Sequence, residues 1–95
     1  MAFESNINTR CPFFTRWAPG GRVIATNRYF ECGTVLFKAA DIITCQGNKT
    51  IKVTPMGMFI TYSWKPTVKL VEKNDGIYVV TIGPLYAGKE LTIHP

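Results

Sequence analysis

Cys11, Cys32, Cys45 and His94 are the side chains of this sequence best suited to holding a transition metal. A zinc site built from three cysteines and a histidine needs at least two ligands at the short gap of a zinc knuckle, and no two of these lie that close. An odd number of widely spaced cysteines points instead to reduced, partly buried thiols rather than a disulfide framework. His94 is the single histidine, which removes most routes to histidine acid–base catalysis. On these grounds no metal is expected and no residue is assigned a catalytic role.

A second set of residues offers binding chemistry. All four arginines, Arg10, Arg16, Arg22 and Arg28, fall in the first third of the chain, among Phe13, Trp17 and Tyr29. Guanidinium groups form planar forks on phosphates, and aromatic rings stack on bases, so this mixture suits a basic nucleic-acid-binding module whose affinity falls steeply with salt. Phe13, Phe14, Arg16, Trp17 and, further along, Trp64 equally suit the anchoring positions of a protein interface, or the aromatic residues pack on the domain's own core. The formal net charge of +5 favours acidic partners generally without choosing among them.

The elements that must position these residues are short strands. Residues 1–19 read as an irregular arm, because Pro12 and Pro19 bracket its aromatic part and forbid a regular helix. Residues 20–95 read as one β domain. Arg22–Thr26 and Thr34–Phe37 are predicted strands, with at most one helical turn between Lys38 and Asp41. Ile42–Thr44 and Thr50–Val53 face each other across a loop centred on Gly47 and Asn48. The clearest hairpin lies later. Val68 and Leu70, then Tyr78, Val80 and Ile82, recur at every second position around Asn74-Asp75-Gly76, a turn sequence that tolerates positive φ. Glu90–Ile93 is a last short strand. The predicted fold is all-β, with short, mostly antiparallel strands in a sandwich or rolled sheet.

Ninety-five residues allow one domain, and a chain of this size buries only roughly 60–65% of the surface its unfolded form exposes. With 46% hydrophobic and 18% charged residues the chain belongs with globular proteins. Its apolar runs are only a few residues long, and the N-terminal residues lack the order of a secretion signal, so no membrane partner and a cytosolic location are expected.

Two separated stretches resemble SET domains. Gly21-Arg22-Val23-Ile24-Ala25-Thr26 followed by Gly33-Thr34-Val35-Leu36 is similar to that family's opening strands. Phe59-Ile60-Thr61-Tyr62-Ser63-Trp64-Lys65-Pro66-Thr67, with Ala87-Gly88-Lys89-Glu90-Leu91-Thr92-Ile93 after the hairpin, resembles its Phe-Ile-Asn-His-Ser-Cys-x-Pro-Asn and Ala-Gly-Glu-Glu-Leu-Thr patterns. The first half also resembles SAF domains through Ala25, Gly33-Thr34-Val35-Leu36 and Asp41. Both families share the β-clip architecture, found also in type III antifreeze domains and some phage head-decoration proteins. The resemblance implies a β-clip-like fold over residues 20–95. It also implies that any surviving S-adenosylmethionine site would use Gly21, Arg22, Thr61 and Tyr62.

The family's catalytic residues are the ones replaced. Its Asn-His pair is Thr61-Tyr62, its cysteine is Trp64, and His94-Pro95 stands where its C-terminal tyrosine follows the Glu-Leu-Thr run. Methyl transfer needs donor and lysine held at near-attack distance in a preformed polar pocket, so these losses argue against catalysis and for no cofactor. The expected function is a non-catalytic module acting through protein contacts or self-assembly as a homo-oligomer, an accessory or capsid-decoration protein of a virus or phage, found then in the virion. A minimal SET-type lysine methyltransferase and the nucleic-acid-binding module are the alternatives. Trp64 is expected to plug the vacated cofactor cleft from inside, with projection as an interface anchor as the alternative.

Overall fold

Phenylalanine, threonine and tryptophan between Pro12 and Pro19 favour extended backbone, and the two prolines lie just outside, where a strand loses no ladder hydrogen bond to them. The computed structural model describes residues 11–95, and within them Phe13–Ala18 forms strand β1, so the aromatic half of the expected irregular arm is regular. Arg10 lies outside the described residues. β1 pairs antiparallel with β2 (Gly21–Thr26), from Phe13 opposite Thr26 to Ala18 opposite Gly21. The reversal between them needs positive φ at Gly20 (95°) and Gly21 (133°), which glycine alone adopts without strain.

The main sheet has four antiparallel strands in the order β4-β3-β7-β6. Strand β3 (Val35–Cys45) is one long strand in which no helical turn interrupts Lys38–Asp41. What breaks the regularity there is a pair of register shifts against β7, between Val35 and Phe37 and between Lys38 and Ala40. Thr54 stabilises the irregularity by donating its hydroxyl to the carbonyls of Lys38 (2.8 Å) and Ala39 (3.1 Å). Strand β4 (Asn48–Val53) returns from β3 through Gln46-Gly47, both at positive φ, which is the two-residue turn that matches strand twist. Strand β5 (Thr61–Tyr62) follows a single 3-10 turn. Strands β6 (Val68–Glu72) and β7 (Gly76–Thr81) form the expected hairpin, with Val68 opposite Thr81 and Glu72 opposite Ile77. Strand β8 (Thr92–Ile93) pairs with β5 in parallel. The architecture is all-β. No helix among the described residues is long and apolar enough to cross a membrane.

The core gathers Ile24, Ala39, Val68, Val79, Leu85 and Leu91. Phe13, partly buried, packs against it, stacking on Phe30 at 5.8 Å and meeting Phe37 edge-on at 5.1 Å. Buried Thr26 and Thr81 donate to the carbonyls of Tyr86 (3.2 Å) and Glu31 (2.7 Å), and among the described residues no buried side-chain polar atom lacks a partner. Trp64 does not plug the interior. It is 79% exposed, at the outside of the turn in which Ser63 accepts from the Lys65 amide at 3.0 Å. Ile60 and Phe59, not Trp64, supply the apolar packing of this segment. Cys11, Cys32 and Cys45 are all exposed, which corrects the expectation of partly buried thiols.

Leu91 and Trp64 therefore make a paired test by chemical denaturation. Leu91→Ala is expected to lower stability by about 2–5 kcal/mol, the cost of a core truncation. Trp64→Ala is expected to change it by less than about 0.5 kcal/mol, as for an exposed surface residue.

Candidate functional site

The segment Lys89–Ile93 is what builds the site, because it is clamped on both sides. On one side Thr26 donates its amide to Lys89 O (3.1 Å), Leu91 N donates to Ile24 O (2.9 Å), and Ala25 bridges to Glu90. On the other side Thr67 N donates to Thr92 O (3.0 Å) and Ser63 N to Ile93 O (2.9 Å). The Thr67 hydroxyl completes the clamp: it donates to Glu90 O at 2.8 Å and accepts from Thr92 N at 3.0 Å. The segment is thus a floor, with the β1–β2 turn as one wall and the Thr61–Thr67 stretch as the other.

Above this floor lies a cleft of about 530 Å³ that brings together Gly21, Arg22, Thr61 and Tyr62, the four residues the SET resemblance implies for a cofactor. Ser63, Glu90 and Thr92 complete its base and also line a neighbouring cleft of about 370 Å³, which adds Arg16, Lys65 and Lys89. Arg22 donates Nε to Thr15 Oγ1 at 2.9 Å and lies over the Trp17 ring at 5.3 Å. Arg16 pairs with Glu90 at 2.9 Å. Both partners are partly exposed, so the pair orders the rim more than it stabilises the fold.

The remaining residues singled out in the sequence are dispersed. Phe14 is half-exposed on β1, while Trp17 and Trp64 stand 75% and 79% exposed and line neither cleft themselves, though residues next to them in sequence do. Trp64 meets His94 edge-on at 5.3 Å. Arg28 is turned away over Phe30 at 4.9 Å, in a separate depression with Tyr29, so the arginines do not form one cluster. Among the described residues no three His, Cys, Asp or Glu side chains come together as metal ligands.

One feature was not expected. The face of the main sheet that buries Val68 and Val79 continues beyond the core, and nothing among the described residues covers it. It carries Leu70, Ile77, Ile51 and Val53 along a groove of about 230 Å³ closed at its ends by Ile60, Tyr62 and Ile93. Ile51 is 60% exposed and Val53 52%. The alternation of Ile51 and Val53 with Lys52 is the sequence signal for such a face, but alternation alone does not tell a covered face from a bare one.

The opposite face of the sheet carries a polar network. Lys38 Nζ lies 3.2 Å from both Asp41 and Asp75, and Tyr78 donates its hydroxyl to Asp75 at 3.0 Å. The Asp41 and Asp75 carboxylates raise the Lys38 pKa, and the Tyr78 hydroxyl together with Lys38 lowers that of Asp75. The hydrogen bond to Asp75 raises the Tyr78 pKa. This network ties the β6–β7 turn to β3.

No protein-family model and no curated protein matches the chain.

Because the folded state lowers the Asp75 pKa, its contribution is present above the ordinary aspartate value and is lost as pH falls through the folded value. Asp75→Asn is therefore expected to melt below the unsubstituted protein near neutral pH. In a pH series of thermal melts, that gap is expected to narrow as pH falls below the ordinary aspartate value of about 3.9 and to close once the carboxyl is protonated in both states.

Proposed function

We propose that this chain is a non-catalytic, β-clip-like module that works through protein–protein contacts, first with copies of itself, as an accessory subunit of a larger assembly such as a virus or phage particle. On this reading it is made in the cytosol and, from a viral source, ends in the virion. The observation that carries the reading is the bare continuation of the core face over Leu70, Ile77, Ile51 and Val53. Contiguous exposed apolar surface of this kind marks interaction sites, since covering it removes apolar area from water at about 25 cal/mol per Å².

Two copies laid face to face would extend the existing core into a second layer, at the roughly 10 Å spacing of stacked sheets. Side-by-side pairing through the edge strand β4 is less favourable, because Lys49 and Lys52 lie along that edge. The net charge of +5 opposes association of like copies, so salt should tighten it by screening.

The cleft holding Gly21, Arg22, Thr61 and Tyr62 favours a second reading, methyl transfer from S-adenosylmethionine to a lysine. The residues fit that cofactor poorly. Tyr62 is 70% exposed where the resemblance calls for a buried clamp, and His94, itself exposed against Trp64, occupies the place of an orienting tyrosine. We derive no catalytic step from it.

Sedimentation equilibrium over a wide dilution series is expected to give a mass above that of one chain, rising with salt. The double variant Ile51→Lys, Val53→Lys should sediment as a monomer and, at dilutions where the unsubstituted protein is also monomeric, melt as that protein does, since both side chains are exposed. A monomer at every concentration would overturn self-association. Saturating S-adenosylmethionine is expected to leave the melting midpoint unmoved. A rise on the order of 10 °C, the effect of about 2.7 kcal/mol of ligand binding on a domain this small, would overturn the non-catalytic assignment.

A further inference from the structure

The two clefts beside Lys89–Ile93 adjoin along Ser63, Glu90 and Thr92 and together make up one trough. We propose that this trough binds single-stranded nucleic acid. Four cationic side chains line it, Arg22 at one end and Arg16, Lys65 and Lys89 at the other, against the single carboxylate of Glu90. Arg16 already answers that carboxylate at 2.9 Å, while Arg22, Lys65 and Lys89 make no salt bridge among the described residues. Three uncompensated cations along one trough are a phosphate-binding track.

The exposed aromatic residues choose the kind of polyanion. Tyr62 lines the trough and is 70% exposed. Trp64 sits between Ser63 and Lys65, which both line it, and Trp17 lies directly opposite Arg22 across the β1–β2 hairpin. These rings find no place in the core, and the clamp on Lys89–Ile93 does not use them. Rings alternating with cations beside a groove are the surface on which successive bases stack while the backbone follows the charge. An acidic peptide would answer the cations and leave the rings idle. A duplex is a poor fit for a different reason, since its bases are reached by an element that protrudes into a groove, and this site is concave. Gly20, Gly21 and Gly88 along the walls present no side chain, which lets a sugar-phosphate backbone approach closely.

The arginine-aromatic signal of the N-terminal third thus contributes Arg16, Trp17 and Arg22, and the track is completed by Lys65 and Lys89 from segments far away in the chain. The site shares only Tyr62 with the apolar groove. Its salt response is opposite to that of self-association, so either reading can fail without the other.

The test is a titration of the full chain with a single-stranded oligothymidylate, read by tryptophan fluorescence and by the anisotropy of a labelled oligonucleotide. Binding is expected to quench tryptophan emission and to weaken with salt, with a log–log slope of about −2 for three phosphate contacts. The double variant Lys65→Glu, Lys89→Glu is expected to bind about tenfold more weakly or worse and to show a shallower slope. Trp64→Ala and Trp17→Ala are each expected to weaken binding by about fivefold to a hundredfold and leave the slope unchanged. Melting curves of all variants should match the unsubstituted protein, because the substituted side chains are exposed. Absence of binding to the oligothymidylate at low salt would overturn the proposal. So would affinity for oligoglutamate or for a matched duplex equal to that for the single strand, or binding indifferent to the lysine reversals.

Discussion

The face of the main sheet that forms the core is longer than the described residues cover. Strands β3 and β4 extend well past the level at which Val68 and Val79 are sealed by Ile24, Leu85 and Leu91. Small domains bury a smaller share of their surface than large ones, and residues 11–95 lay no second layer over the remainder. The outcome is a molecule closed at one end and open at the other. Ile24 and Leu91 are inaccessible while Ile51 and Val53, on the same continuous sheet face as Val79, stand half in water or more. That imbalance is the physical basis for reading the protein as a component of something larger.

The closed end depends on Lys89–Ile93. Its backbone bonds to β2 and to the Thr61–Thr67 stretch join the two ends of the chain, and the Thr67 hydroxyl spans the gap between Glu90 and Thr92. Because both walls of the trough hang on this segment, the positions of Arg16, Arg22, Lys65 and Lys89 are fixed by the same bonds that complete the core. Charge and aromatic surface gather there, and apolar surface gathers at the hairpin end. The two halves of the molecule are therefore suited to different kinds of contact.

Much of this was legible in the sequence, and the failures have physical causes. The β6–β7 hairpin was plain because Asn74-Asp75-Gly76 and the flanking alternation agree on one register. The reading of residues 1–19 as an irregular arm misses β1, because prolines at both ends forbid a regular helix but, lying outside the strand, remove no ladder bond from it. β3 was read as two strands and a helical turn, because register shifts near Ala39 and Ala40 leave no mark in the hydrophobic period. Trp64 was placed inside on its apolar neighbours, yet the turn held by Ser63 carries it outward. Gly21, Arg22, Thr61 and Tyr62 line one cleft. The rest of the trough was hidden, since Arg16, Lys65 and Lys89 converge only through long-range pairing of the chain's two ends.

The central claim is that the uncovered sheet face is an interface, and methyl NMR of a dilution series examines it residue by residue. The Ile51 and Val53 methyl resonances are expected to move with concentration, together with those of Leu70 and Ile77, while Ile24 and Leu91 stay fixed. Resonances of Ile51 and Val53 that hold still at all concentrations, or that move no more than those of Ile24, would contradict the account.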